Sequence, residues 1–388
     1  MSAASREPAE SRDQRARDLL VTTHTPALRS GRDMRTYGIA RALALNGGLT
    51  LLYVRFGPAE PDDAFRAIEG MELREVIPSR GITRGLAYVK ALHAGVPSGL
   101  ARGISPELSR TAVLLAAASG GGRVIADGPT AAAALARLAE LRPVIYNAHN
   151  LESGFRHELR SGAGGAQRKL RSFEIELLRR SSESWMVSDA DMRGAHELCP
   201  EAKLRLAPNV VDVKMIEPVT ELTAEPKAIF VANFAYEPNR NGLAFLLEEV
   251  FPRVWKQLPQ ARLTLVGSGL ERPPSEDARV EALGFVDHLA SVYASSRCAV
   301  VPLLQGGGTP LKLIEAMAYG MPVVATPRAV AALEVQDGVD CLVAGDAEAF
   351  ARKLVDVLRN GSPELGRSAR RVAEERYSIE ALARLLRA

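Results

Sequence analysis

Cysteine is scarce in this chain: Cys199, Cys298 and Cys341 are the only three in 388 residues, far apart and odd in number. Such a set builds neither a disulfide framework nor a zinc site, both of which need closely matched cysteine spacings. A reducing cytoplasm is the compartment this implies. Long apolar runs are missing too. No stretch approaches the ~18 consecutive apolar residues of a transmembrane helix. Residues 1–17, MSAASREPAESRDQRAR, are polar and charged, without the apolar segment of a secretory signal, and read as a flexible tail. Attachment to a membrane surface stays open. A strong charge of one sign is also lacking. The formal net charge is +3, with arginines dispersed among glutamates, which excludes the long basic stripe that tracks nucleic acid.

What is present describes a soluble globular protein, with 47% apolar and 24% charged residues. The length exceeds the ~250–300 residues at which single cores stop growing, so two domains are expected. Short apolar runs ending in turn residues alternate with stretches of helical period, the signature of an α/β fold with parallel sheets covered by helices. In the first half the runs fall at 19–22, 49–54, 73–77, 123–126, 143–147, 184–187 and 204–207. A second series restarts at 228–231 and continues at 262–266, 280–284, 298–303 and 322–325, with helices expected at 239–256, 287–295 and 310–319. Between the series, 217–227 is rich in Pro, Glu and Thr without periodicity and reads as a linker. The expected organisation is a tail over 1–17, a first Rossmann-like domain over 18–216, the linker, and a second over 228–377. No fixed-period repeat appears, so two doubly wound domains are favoured over a solenoid. Ligands in such sheets bind outside the carboxyl ends of the strands.

The densest chemical signal is VVPLLQGGGTPLKLIEAMAYGMPVV at 300–324: an apolar strand, three glycines, a helix start and a second strand. Thr309 suits the N-cap and Pro310 the first helical position. On that register Lys312 is third in the helix, where a cation opposes the macrodipole and costs about 0.3–1 kcal/mol. An anion bound at this end reverses that sign, because the amides, the dipole and the ammonium then all favour it. Gly306, Gly307 and Gly308 permit close backbone approach to a phosphate. One turn on, Glu315 shares a face with Lys312, and its carboxylate can accept two hydrogen bonds from a ribose diol. A diphosphate followed by a ribose is a nucleotide sugar. The competing reading is a flexible turn beside a solvated Lys-Glu pair.

GGGTPLKLIEAMAYGMPVVAT resembles the donor-binding stretch of the GT-B glycosyltransferases of the GT4 family, in the branch with GGGT before K-x-x-E. The resemblance continues through NAHNLE at 147–152, APNVVD at 207–212, FAYEPNRNGL at 234–243 and RLTLVGSG at 262–269. It implies two Rossmann-like domains facing a central cleft, a retaining transferase in the cytoplasm, and no obligatory metal. It implies no cofactor beyond a nucleotide diphosphate sugar as co-substrate. By resemblance Glu315 holds the ribose, Lys312 and the Gly307-Gly308-Thr309 amides hold the phosphates, and Gly306, Pro310, Leu311, Asn233 and Arg240 border the donor. His149, at the end of the run 144–146, is by resemblance the histidine that contacts the transferred sugar, and with Lys312 and Glu315 forms the catalytic set. The final segment, 378–388, resembles the GT-B helix that packs back on the first domain.

Three positions depart from the family pattern. A first glutamate common eight positions before the second is replaced by Gly307. An Arg and a Lys after the first strand of the second domain are reduced to Arg240, which is equally readable as a solvated residue at a helix start. The glycine usual after Asn209 is Val210. On the acceptor side, Asp127 ends a strand and either faces an acceptor or caps the following helix. Asn150 neighbours His149, while Gly31 and Arg32 lie in the loop after the opening strand, Arg32 either binding an anionic acceptor or solvated. No Ser-His-Asp set or carboxylate pair demands a protein nucleophile. Pseudoglycosyl transfer, sugar-nucleotide epimerisation and non-catalytic sugar-nucleotide binding remain alternatives on the same fold.

Overall fold

The structure is a computed structural model that describes residues 16–151, 153, 164–270, 274–306 and 308–387. It contains two wholly parallel sheets. The first is ordered β3-β2-β1-β4-β5-β6-β7. Its strands are β1 (Asp18–Thr22), β2 (Leu49–Val54), β3 (Met71–Val76), β4 (Val124–Asp127), β5 (Val144–Asn147), β6 (Glu183–Met186) and β7 (Leu204–Leu206). The second is ordered β10-β9-β8-β11-β12-β13. It uses β8 (Lys227–Val231), β9 (Arg262–Val266), β10 (Val280–Gly284), β11 (Cys298–Val301), β12 (Val323–Ala325) and β13 (Leu342–Val343).

These strands read as continuous apolar runs because both faces of each sheet are covered by helices. Every residue of β2, LTLLYV, is buried. Alternation then sorts side chains between two cores. Leu19 and Val21 enter the core on one face and Leu20 the core on the other. In the second sheet Phe230 and Ile229 divide in the same way. The arrangement is the GT-B fold, two Rossmann-like units with their own cores.

The chain ends by returning to its first half. The helix Ile379–Leu385 lies against the helix Gly31–Asn46, and Ile379, Leu382 and Leu386 join the core beneath β1. Arg123 donates to the Leu386 carbonyl at 2.5 Å and Asn46 to the Ala383 carbonyl at 2.8 Å. Between the sheets, Arg370 in the helix Pro363–Arg376 donates to the carbonyls of Val213 at 3.1 Å and Ile216 at 2.8 Å.

Some elements differ from the sequence expectation. The helix expected over 239–256 is three consecutive pieces, Glu237–Ala244, a π-helical Phe245–Val250 and Phe251–Gln257. Pro252 is the cause: it has no N–H to continue the ladder, and the widened turn absorbs the defect. The helix expected over 287–295 contracts to Ala290–Ala294. β13 escaped the periodicity because it holds two residues.

Topology fixes where function can sit. The direction of strand order reverses between β1 and β4 in the first sheet and between β8 and β11 in the second. At such points the loops leaving adjacent strands diverge and open a crevice outside the carboxyl ends.

Candidate functional site

Both crevices are lined by residues singled out from the sequence. Arg32 and Gly31 follow β1, Asp127 ends β4, and His149 and Asn150 follow β5. Asn233 follows β8, and Gly306 to Lys312 follow β11. The two sets meet. A Cβ placed on Gly308, where φ is +72°, would stand 2.5 Å from Asn150 Oδ1, and one on Gly31 would stand 4.0 Å from Leu311 Cδ1. Thr309 Oγ1 donates to the Val187 carbonyl at 3.2 Å, and Asn209 Nδ2 donates to the Thr309 carbonyl at 3.2 Å. Gly307 lies outside the described residues.

The glycine loop delivers the helix Leu311–Ala318, which has Pro310 at the cap position and no side-chain cap. Thr309 was expected at that cap. Its hydroxyl bonds across to the first half of the chain instead, so the helix begins one residue later and Lys312 is second in it, not third. Burial holds the Lys312 ammonium down to about 8 and pushes the Glu315 carboxyl up to about 7. The two form no ion pair with each other among the described residues, although they share a helix face. Lys312 Nζ instead donates to Asn239 Oδ1 and sits 5.6 Å from the Phe230 ring centre. Asn239 is itself fixed by its Nδ2, which donates to the Asn233 carbonyl at 2.7 Å. The Glu315 carboxylate has no hydrogen-bond or ion-pair partner among the described residues. A solvated Lys-Glu pair would be mutually engaged and wet. This one is separated and mostly withdrawn from water.

Around the loop, Arg328 donates to the Gly306 carbonyl. Asn233 Oδ1 accepts from the Ala235 amide at 2.9 Å. Arg240 is exposed, and its guanidinium folds back on its own loop, donating to the Ala235 carbonyl at 2.5 Å.

The opposite wall is built on Asp127, 2% exposed. Its carboxylate accepts from Thr36 Oγ1 at 2.6 Å and Asn147 Nδ2 at 2.8 Å, and pairs with His149 Nε2 at 2.9 Å. It makes no side-chain cap of the following helix, which leaves it facing the cleft network. Burial alone would raise its pKa; His149, His24 and the Thr36 hydrogen bond outweigh that and hold it well below the ordinary carboxylate range. Gly128, at φ +84°, makes the contact possible, because a Cβ there would stand 2.7 Å from His149 Cε1. The imidazole is therefore clamped between a carboxylate and bare backbone, which orients its other edge.

Arg35 joins the walls. It is 2% exposed and donates to Asn147 Oδ1 at 2.6 Å, the Ala207 carbonyl at 2.7 Å and Asn209 Oδ1 at 3.2 Å. Asn209 in turn reaches Thr309, so a continuous chain of hydrogen bonds runs from His149 through Asp127, Asn147, Arg35 and Asn209 to the glycine loop. His24 stands at its edge, with Nδ1 2.8 Å from Thr22 Oγ1 and Nε2 3.3 Å from Asp33 Oδ1. Burial lowers its pKa to about 4 against the raising effect of Asp127. Sequence reading gave no role to Arg35, His24, Asn147, Asn209 or Asn239, although the last three lie in the segments 147–152, 207–212 and 234–243 that carry the resemblance. They come from segments far apart in the chain, and Arg35 and His24 are ordinary residues in their own segments.

A half-open space of about 380 Å³ adjoins this network, lined by Val187, Pro208, Leu333, Tyr377 and Arg384.

Comparison with known proteins agrees with this architecture. The sucrose-phosphate synthase of Thermosynechococcus elongatus superposes with a TM-score of 0.70 at 20% identity, over 95% of this chain and 96% of that one. The Anabaena HepE protein, solved in complex with UDP and glucose, gives 0.69 at 15% identity, over 95% of this chain and 98% of its own. In sequence, an uncharacterised 44.6 kDa protein of the cps region of Klebsiella pneumoniae is 27% identical over 164 residues, 38% of this chain and 42% of its own. A phosphatidyl-myo-inositol mannosyltransferase of Mycobacterium leprae is 34% identical over 170 residues, 39% of this chain and 44% of its own. The chain thus matches less than half the length of these curated relatives. Residues 225–360, the segment that carries Asn233, Asn239, Lys312 and Glu315, match the family model of the group 1 glycosyl transferases.

Proposed function

We propose that this chain is a retaining glycosyltransferase of the GT4 type that moves a sugar from a nucleoside diphosphate donor to a hydroxyl acceptor. The observation that carries the reading is that Lys312 and Glu315, on one face of a helix start with no side-chain cap, have no ion-pair partner among the described residues. A diphosphate there supplies the negative charge that the amides, the helix dipole and the ammonium all lack. Ribose hydroxyls supply the donors that the partly buried Glu315 carboxylate lacks.

Transfer then needs little covalent chemistry from the protein. The leaving diphosphate is stabilised by Lys312, by the amides after Gly308 and by the helix end, all fixed before reaction. The acceptor hydroxyl attacks the anomeric carbon from the face that the diphosphate leaves. The bond to the acceptor oxygen forms as the bond to the phosphate oxygen breaks, and a phosphate oxygen takes the acceptor proton. His149, held by Asp127, lies on the sugar side of the cleft and orients the transferred sugar or the leaving phosphate. The match of residues 225–360 to the group 1 model and the UDP found in the HepE complex both favour this assignment.

The test is a thermal-shift screen of nucleotide sugars, followed by product analysis with the donor that shifts. A ligand that binds only the folded state raises stability by RT ln(1 + [L]/Kd). Donor binding that disappears in Lys312→Ala and Glu315→Ala, with release of nucleoside diphosphate and an α- or β-configured product matching the donor, is expected. Unchanged binding in both variants removes the site. Turnover to an epimer, or binding without transfer to any hydroxyl acceptor, replaces the transferase reading with an epimerase or a binder.

A further inference from the structure

The segment Thr326-Pro327-Arg328 follows β12 and builds a second helix start beside the glycine loop. β12 lies parallel to β11, with Val301 opposite Ala325, so the turn after one strand stands against the loop after the other. Thr326 Oγ1 accepts from the Ala329 amide at 3.3 Å and donates to the Leu303 carbonyl, while the Thr326 amide donates to the Val301 carbonyl at 3.2 Å. Pro327 takes the first helical position, where its missing N–H costs nothing. The turn is thus pinned to the chain leaving β11 at two points. Arg328 makes a third, donating from Nη2 to the Gly306 carbonyl.

The loop needs that third point. Gly306 sits at φ +115° and Gly308 at +72°. A Cβ on Gly306 would meet Pro238 at 3.8 Å, an ordinary contact, so glycine is required there for conformation and not for space. Consecutive glycines have the most backbone freedom to lose, and a loop left unheld would bear that cost when a ligand binds. The bond to Arg328 restrains it beforehand. Charge points the same way. Each phosphate of a nucleoside diphosphate carries negative charge, and in a site partly withdrawn from water an unmatched charge is costly. Lys312 supplies one ammonium, whose charge is lost as pH rises through about 8. Arg240 turns back on the Ala235 carbonyl. Arg328 is half-buried and already on the loop, and a guanidinium stays charged at every working pH. Its planar fork lets one side chain serve a carbonyl and a phosphate oxygen together.

We propose that Arg328 is the second cation of the donor site, holding the glycine loop in its binding conformation through Gly306 and opposing the charge of the diphosphate. The inference rests on donor binding at the Leu311–Ala318 helix and adds to it, because Lys312 and the amides could hold a diphosphate without Arg328.

The test is calorimetric titration of UDP, GDP and ADP, each beside its monophosphate, into wild type, Arg328→Gln, Arg328→Lys and Lys312→Ala. Arg328→Gln keeps amide donors for the Gly306 carbonyl and removes the charge, whereas Arg328→Lys keeps the charge and loses the fork. For the diphosphate that wild type binds most tightly, Arg328→Gln is expected to lose at least about tenfold in affinity, against less than about threefold for the monophosphate. Arg328→Lys is expected to fall between wild type and Arg328→Gln. An arginine that only braces the fold would weaken monophosphate and diphosphate alike, with no rescue by Lys, and that outcome overturns the proposal. So does an Arg328→Gln variant that binds diphosphate as wild type does while Lys312→Ala does not, a result that leaves the donor site standing. Undiminished diphosphate binding in Lys312→Ala as well, or a wild type that prefers no diphosphate to its monophosphate, removes the donor site and this inference together.

Discussion

Glu315→Gln separates what the fold needs at this position from what a donor needs. In the free protein the carboxyl is raised from 4.5 to about 7, because burial disfavours its charged form. A shift of that size means that the ionised side chain weakens the fold by about 3 kcal/mol at a pH above both values. The sign follows from linkage. The folded state holds the proton more tightly, so the loss is absent below pH 4.5, grows as pH rises toward 7 and is constant above. A neutral isostere escapes it. Glu315→Gln is therefore expected to be more stable than wild type by up to about 3 kcal/mol at pH 8 and indistinguishable from it at pH 4.5. Donor binding moves the opposite way: two charge-assisted hydrogen bonds become neutral ones, a loss of about 1.5–3 kcal/mol, or ten- to a hundredfold in Kd. Urea unfolding at the two pH values, with calorimetric titration of the nucleotide sugar that shifts wild type, reads both quantities. A variant that is less stable at pH 8, or that binds donor as wild type does, would show that Glu315 is neither strained by burial nor a donor ligand.

Three further outcomes are expected. Donor affinity measured calorimetrically across pH should peak between about 7 and 8, falling below 7 as Glu315 takes up a proton and above 8 as Lys312 loses one; a flat profile from pH 6 to 9 contradicts the site. Gly128→Ala forces an L residue to φ +84° and a Cβ against His149. It should lower kcat at least about tenfold while changing donor Kd less than about threefold, at a stability loss of about 1–2 kcal/mol. Asn239→Ala frees Lys312 from its acceptor and should weaken donor binding by about three- to tenfold, as one hydrogen bond's worth of orientation is lost.

The legible part of this protein was what neighbouring residues dictate. Apolar runs set both sheets, since a parallel strand buried on two faces leaves a continuous mark, and the Gly-rich loop, Lys312 and Glu315 stood within ten residues of one another. Thr309 was misread because its local sequence makes a good cap, and only the fold brings Val187 and Asn209 close enough to capture its hydroxyl and carbonyl. Arg35 shows the same limit. Inside the helix Gly31–Asn46 it reads as one more surface arginine, yet the fold buries it among Asn147, Ala207 and Asn209. Residues acting through distant partners carry no signal in their own segment. His149 is the intermediate case: its place after β5 was readable, while its carboxylate partner twenty-two positions earlier was seen only as a residue of two possible roles.

Diffraction from crystals soaked with UDP locates the donor outright. The β-phosphate is expected within hydrogen-bond distance of the amides between Gly308 and Lys312 and of the Lys312 ammonium, with the ribose hydroxyls on Glu315. Nucleotide bound instead in the basic hollow lined by Arg123, Arg142, Lys203 and Arg205 at the opposite edge of the first sheet, or no nucleotide at the Leu311–Ala318 helix start at saturating concentration, would contradict it.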